Sequence, residues 1–203
     1  MDKTKEKKER EDKGKNSTKG SNKEKMINGL FAYELKIPKE RIAVIIGKQG
    51  KVKKEIEQDT KTKITIDSKE GDVLIEGNDG LLLYSAREII RAIGRGFNPD
   101  IAMQLLKQDY SFEVIRIGES KNKNNLKRIK GRIIGEKGKT RRIIEQSTDT
   151  SISVYGKTVG IIGAATDIRS AREAVEMLIK GSKHATVYRM LERKRKEKRA
   201  FME

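Results

Sequence analysis

The stretch Phe31-Ala32-Tyr33-Glu34-Leu35-Lys36-Ile37 alternates apolar and polar residues, the period of a strand with one buried face. Pro38 ends it and suits the opening of a helix. Lys39 to Ile46 reads as a short helix, Gly47 to Gly50 interrupts it, and Lys51 to Thr60 resumes helical spacing with Val52 and Ile56 on one stripe. Alternation returns in Lys63-Ile64-Thr65-Ile66-Asp67. A turn at Lys69 to Asp72 and a second short strand, Val73 to Glu76, follow. Leu82, Ala86, Ile89, Ile90 and Ile93 then share one face of a long helix from Asp79 to Ile93, stopped by Gly94 or Gly96. The predicted order is β-α-α-β-β-α.

Asn98-Pro99 reads as an N-cap followed by proline at the first helical position. It opens an apolar linker helix that runs to about Leu106 and is expected to pack between the two halves. Phe112 to Ile117 alternates again, and Gly118 to Asn125 is a polar loop. Leu126 to Ile134 is a helix interrupted at Gly131, Gly135 to Gly138 a turn, and Lys139 to Ser147 a second helix. Thr150 to Tyr155 and Thr158 to Ile162 are strands. Asp167 to Ile179 is a long helix with Ile168, Ala171, Ala174, Val175, Leu178 and Ile179 on its core face, closed by Gly181. A last basic helix, His184 to Arg199, carries Val187, Met190 and Leu191 on one side.

The halves are copies of each other. At an offset of 88 positions, Ile45 to Ile66 aligns with Ile133 to Val154 without a gap, and eleven of the 22 positions are identical. Ser85-Ala86-Arg87-Glu88 recurs as Ser170-Ala171-Arg172-Glu173 after a slip of three residues. A repeat of this length is one supersecondary unit used twice, not a solenoid period. The expected organisation is a disordered Lys-rich tail over 1–28, a first domain over 29–97, a linker over 98–110, a second domain over 111–182 and a basic helix over 183–203.

Composition narrows what such a pair of modules does. The formal net charge is +17 and aromatic residues are 4% of the chain, a field that attracts polyanions. Residues 1–25 contain ten Lys/Arg against six Asp/Glu, which leaves +13 on the remainder. The folded body is therefore itself basic. With no cysteine, thiolate zinc sites, disulfides and cysteine nucleophiles are excluded. No run of about 18 apolar residues exists to cross a bilayer, and the N-terminus has no secretory h-region. A cytoplasmic protein is expected. His184 is the single histidine, so neither a catalytic nor a metal site is predicted, and no cofactor. Gly135-Glu136-Lys137-Gly138-Lys139-Thr140 superficially suggests a Walker A loop, but position 133, where that motif needs glycine, is isoleucine.

Ile45-Ile46-Gly47-Lys48-Gln49-Gly50-Lys51 and Ile133-Ile134-Gly135-Glu136-Lys137-Gly138-Lys139, each inside a β-α-α-β-β-α frame, resemble KH domains of the type-I topology. The implied fold class is α+β: two tandem modules, each a three-stranded antiparallel sheet with three helices on one face. Gly131-Arg132-Ile133-Ile134-Gly135, Lys139-Thr140, Glu145, Thr148 and Lys183-x-x-x-Val187-Tyr188 are further similar to the archaeal and eukaryotic ribosome-assembly proteins called "partner of Nob". The resemblance covers about residues 30–190. Both modules keep the Gly-x-x-Gly turn, whereas eukaryotic members usually lose the first, which favours the archaeal branch.

The resemblance implies binding of single-stranded RNA at the 3′ end of small-subunit rRNA. It also implies partnership with a PIN-domain processing nuclease and, in archaea, with the initiation-factor-two alpha subunit; a monomer is expected. KH modules hold about four nucleotides between the Gly-x-x-Gly loop and an apolar groove. The first site is then Gly47, Lys48, Gln49, Gly50, Lys51, Lys53 and Lys54 on the phosphates, with Ile46, Ile64 and Ile66 under the bases. The second is Arg132, Gly135, Glu136, Lys137, Gly138, Lys139, Arg141 and Arg142, with Ile134, Ile152 and Val154. The rival readings are a non-enzymatic scaffold with incidental RNA affinity, docking proteins through its linker and C-terminal helices with the Met190/Leu191 stripe as interface, and a general KH RNA-binding protein of RNA processing.

Overall fold

The computed structural model of the chain describes residues 23–27, 30–117 and 123–202. The first module comprises β1 (Lys23–Ile27), β2 (Leu30–Lys36), α1 (Lys39–Ile46), α2 (Lys51–Thr60), β3 (Lys63–Asp67), β4 (Asp72–Gly77) and α3 (Gly80–Gly94). A short α4 (Pro99–Ala102) and a 3-10 turn (Met103–Leu106) lead into the second. That module holds β5 (Tyr110–Arg116), α5 (Lys123–Ile134), α6 (Lys139–Thr148), β6 (Ser151–Tyr155), β7 (Thr158–Ala164) and α7 (Ala165–Ile179). The helix α8 (His184–Met202) follows. The strand orders β2-β4-β3 and β5-β7-β6, antiparallel throughout, are the same in both sheets.

The first sheet gains an edge strand that the pattern missed. β1 pairs antiparallel with β2, from Lys23 opposite Glu34 to Ile27 opposite Leu30, so residues 23–27 are not part of a disordered tail. Positions 1–22, where disorder was also expected, lie outside the described residues. The intervening sequence, Asn28-Gly29, is a pair that favours two-residue hairpins, and that was the available signal. Two local readings also change. Gly131 does not interrupt α5, which runs unbroken from Lys123 to Ile134. Its first residues fall in what reads as the polar loop, whose positions 118–122 lie outside the described residues. Asn98 stands at the N-cap of α4 with Pro99 at the first helical position, but its side chain makes no capping hydrogen bond. Asp79 does cap: its Oδ1 accepts from the Leu81 and Leu82 N–H groups at 2.8 and 3.2 Å.

The repeated residues carry repeated wiring. Thr60 Oγ1 donates to the Ile56 carbonyl at 2.6 Å and meets Thr62 Oγ1 at 2.8 Å; Thr148 does the same to Ile144 and Thr150 at 2.8 and 2.9 Å. Glu57 accepts from the Ile64 N–H at 2.7 Å, and Glu145 from Ile152 at 2.8 Å. These bonds tie the end of the second helix to the strand after it. The buried threonines are satisfied there, as buried polar groups must be.

Each module has its own isoleucine-rich core. Ile45, Ile56, Ile75 and Ile89 are fully buried in the first, Ile133, Ile144, Ile161 and Val175 in the second. The modules also share a seam. Phe97, just past α3, meets Phe112 of β5 edge to face, with ring centroids 5.8 Å apart at 88°. A Cβ on Gly160 would lie 2.6 Å from the Phe97 ring, so the central strand β7 needs glycine there. Ile162 packs into the first module's core, together with Ala102 and Leu105 of the linker. The second sheet is thus covered on one face by its own helices and on the other by the first module. That explains why β7 is buried at nearly every position.

Candidate nucleic-acid interface

Each Gly-x-x-Gly turn forms a single 3-10 turn between two helices, with the same backbone in both modules. Gly47 has φ 71°, ψ 176° and Gly135 φ 73°, ψ 174°; Gly50 and Gly138 have φ 77° and 79°. The residue between, Gln49 or Lys137, is also left-handed at φ 53° and 48°. The two glycines of each turn are needed for different reasons. A Cβ on Gly47 would sit 2.8 Å from the Val52 nitrogen, and one on Gly135 2.7 Å from the Thr140 nitrogen, so the first glycine lets the loop press on the next helix. Around Gly50 and Gly138 a Cβ would meet nothing within 4 Å. There the backbone faces open space, where another chain can approach.

Helices α2 and α6 start directly at these second glycines, with no capping side chain and no acidic residue in the first turn. Free N–H groups and the helix dipole make such a start attractive to anions. Lys48, Lys51 and Lys54 are exposed around the first loop; Lys137, Lys139 and Arg142 are exposed around the second, as is Glu136. Lys53 is partly engaged by Glu57 at 3.7 Å, and Arg141 by Glu145 at 3.6 Å. Long, partly solvated i,i+4 pairs of this kind are weak, so both cations remain available to a phosphate.

The apolar side of each site differs from expectation at one position. Ile46 and Ile134 are half-buried beside their loops, and Ile66 and Val154 are half-buried on the facing strands. Ile64 and Ile152 are only 1% and 4% exposed. They belong to the cores, at the strand end whose N–H donates to the second helix's glutamate. Ile46 with Ile66, and Ile134 with Val154, therefore offer the apolar surface of the grooves.

Arg132 lines the hollow beside the second loop, with Gly135, Glu136 and Lys139, but its guanidinium is engaged elsewhere. Its Nε donates to the Leu178 carbonyl at 3.3 Å and its Nη2 to the Ser182 carbonyl, so it closes the end of α7. Arg41 does the same for α3, donating to the Ile93 and Phe97 carbonyls at 2.8 and 2.7 Å. Orphan carbonyls at helix ends take such donors readily. The helix α8 lies behind the second loop: Tyr188 OH meets Thr140 Oγ1 at 3.0 Å, and His184 Nε2 the Arg132 carbonyl at 3.0 Å. Val187 and Leu191 are 0% and 1% exposed. The stripe on α8 is therefore packed into the second module, not presented to a protein partner.

Among the described residues no cluster of three or more His, Cys, Asp or Glu side chains has metal-binding geometry, and no helix is long and apolar enough to cross a membrane.

Two modules of β-α-α-β-β-α order, each with a Gly-x-x-Gly turn between its first two helices, define a tandem KH protein of type I. Residues 32–92 match the KH domain family, and residues 111–196 match the eukaryotic-type KH domain (KH-domain type I). The chain is 49% identical over 175 residues to a KH domain-containing protein of Methanocaldococcus jannaschii, covering 83% of this chain and 77% of that one. It superposes with a TM-score of 0.78, at 49% identity, on a chain from the crystal structure of an a/eIF2alpha-aDim2p-rRNA complex from Pyrococcus horikoshii, covering 83% of this chain and 96% of that one. A pre-rRNA-processing protein pno1 from Aspergillus fumigatus is 36% identical over 110 residues, 52% of this chain and 44% of the longer fungal protein. The chain belongs to the tandem KH family that contains archaeal Dim2p and the PNO1 pre-rRNA-processing proteins.

Proposed function

We propose that this protein is a ribosome-assembly factor that clamps single-stranded RNA, the 3′ end of small-subunit rRNA, through its two Gly-x-x-Gly loops. The observation that carries this is the near-identical conformation of the loops at Gly47–Gly50 and Gly135–Gly138, each facing open space beside an uncapped helix start and exposed cations. Phosphates sit over the second glycine and the first turn of α2 or α6. Bases lie against Ile46 and Ile66, or Ile134 and Val154, and their edges supply sequence choice, while the phosphate contacts set position.

The relatives point the same way: one is a component of a complex with rRNA and a/eIF2alpha, another a pre-rRNA-processing protein. The complex with a/eIF2alpha supports an initiation-factor alpha subunit as a protein partner; a PIN-domain processing nuclease as second partner, a monomeric state and a non-catalytic role are part of the proposal. An electrophoretic shift with the rRNA 3′ end against a scrambled strand of equal length tests the reading. Preferential retention of the rRNA end supports it. Equal, weak binding of both strands favours the scaffold reading.

A further inference from the structure

Arg95 follows α3 at the seam, Arg91 lies one turn before it, and Arg116 ends β5. Arg116 pairs in register with Thr158, and Thr158 with Tyr155, so this end of the second sheet forms one row. β6 is held against the first module by Ser153 Oγ, which donates to the Arg95 carbonyl at 3.0 Å, and by Tyr155, which donates to Glu40. Arg91 and Arg116 both act on Arg95: after partial desolvation, which comes first, they are what lowers its pKa, against a smaller opposing effect of Tyr155.

Most charges nearby are already answered. Arg91 pairs with Glu88 at 3.0 Å and Lys36 with Asp72 at 3.1 Å, and Glu40 takes the Tyr155 hydroxyl. Among the described residues no carboxylate pairs with Arg95 or Arg116. The hollow beside Arg95 is lined by Lys36, Lys39 and Arg91, with Glu70 as its one acid. Guanidinium groups gathered without counter-charge repel one another, and an anion between them relieves that repulsion. Their planar forks match phosphate oxygens in pairs.

Location decides which anion. The β6–β7 turn borders the same row, and the Ile117 N–H holds the Lys157 carbonyl at 2.9 Å. β6 is also the strand whose Val154 faces the second groove. Tyr155, Thr158 and Arg116 share the sheet face turned toward the first module, opposite Val154, so a strand leaving the groove over the edge strand β6 meets Arg95 first and Arg116 beyond it.

We propose that Arg95 and Arg116 form a phosphate seat at the seam, which takes the backbone of a single-stranded RNA running beyond the second groove onto the first module. This rests on the reading of the loops as RNA clamps. The seat makes the seam part of the binding surface, so the two modules act as one extended site for a single strand.

The test uses the full chain carrying Arg95→Gln and Arg116→Gln together. Both side chains are exposed, and the Arg95 carbonyl bond to Ser153 survives, so the melting temperature should stay within a few degrees. Affinity is measured for a rRNA 3′-end tetramer, about the length one module holds, and for a strand of about twelve nucleotides. The tetramer should bind within twofold of wild type. The longer strand should lose about tenfold, and its log K against log[salt] slope should become shallower by roughly 1.4, two phosphates at about 0.7 each. Unchanged affinity and slope for the longer strand overturn the seat, as does an equal loss at both lengths. A second variant, Glu136→Asp with Lys137→Asp, is read separately. If it weakens both lengths while the seam variant does nothing, the seat alone is wrong. If it weakens neither, the second loop is not an RNA contact, whatever the seam shows.

Discussion

At the scale of single residues, the two glycines of each turn are not equivalent. Gly135 has φ 73° and ψ 174°, a region almost confined to glycine, where another residue costs about 1–3 kcal/mol. A Cβ there would also press on Thr140. Gly138 is left-handed, but nothing crowds it. Gly135→Ala should therefore lose more stability in urea denaturation than Gly138→Ala, by about 1 kcal/mol or more. The residue at 137 is left-handed as well, with φ 48°, and Asp tolerates that region better than most residues. Replacing Glu136 and Lys137 by Asp thus puts two carboxylates at the proposed phosphate position without breaking the turn. Filter binding should show RNA affinity sharply weakened while the circular-dichroism spectrum stays native; unchanged affinity would count against the second loop as a contact.

At the scale of elements, the seam between β6 and the first module is held by few polar contacts, and Tyr155 to Glu40 is one of them. Burial and that bond raise the Tyr155 pKa above its usual 10.0. A raised folded-state value means the contribution is complete below about pH 10 and fades as pH climbs through the folded value, since only the protonated phenol can donate. Tyr155→Phe should cost about 1 kcal/mol at neutral pH. The difference between wild type and variant, followed by thermal melting, should narrow only in strongly alkaline buffer. A difference that persists unchanged into strongly alkaline buffer would show that the hydroxyl is not the donor. On the other side of the same seam, Gly160→Val should be severe, because the added side chain drives into the Phe97 and Phe112 rings.

At the scale of the molecule, the charge of +17 sets how binding responds to salt. If each module neutralises about three phosphates, the two loops together contribute roughly −4 to the slope of log K against log[salt], to which the seam adds about −1.4 for a strand that spans both. Disabling one loop by the two-Asp replacement should bring the loops' contribution to about half. A slope near −2 in the intact protein would mean that only one groove holds RNA at a time.

The repeat, the periods of its strands and helices, and the paired Gly-x-x-Gly turns were legible from the chain alone, because each is local. Alternation marks a half-buried strand wherever it sits, and a tight turn needs its glycines regardless of what surrounds them. The errors came where a residue has two possible neighbours. Arg132 reads like its basic companions, yet it is drawn to the end of α7, 46 residues away. Ile64 and Ile152 are apolar like Ile66 and Val154, and only their packing in the assembled modules shows that they are core. Met190 and Leu191 read equally well as a docking stripe, until α8 folds back onto the second module. Local sequence determined two modules and their two loops. Tertiary packing alone decided that the modules share a seam, because Phe97, Phe112, Gly160 and Ser153 are far apart in the chain and acquire their roles only once one sheet lies against the other module.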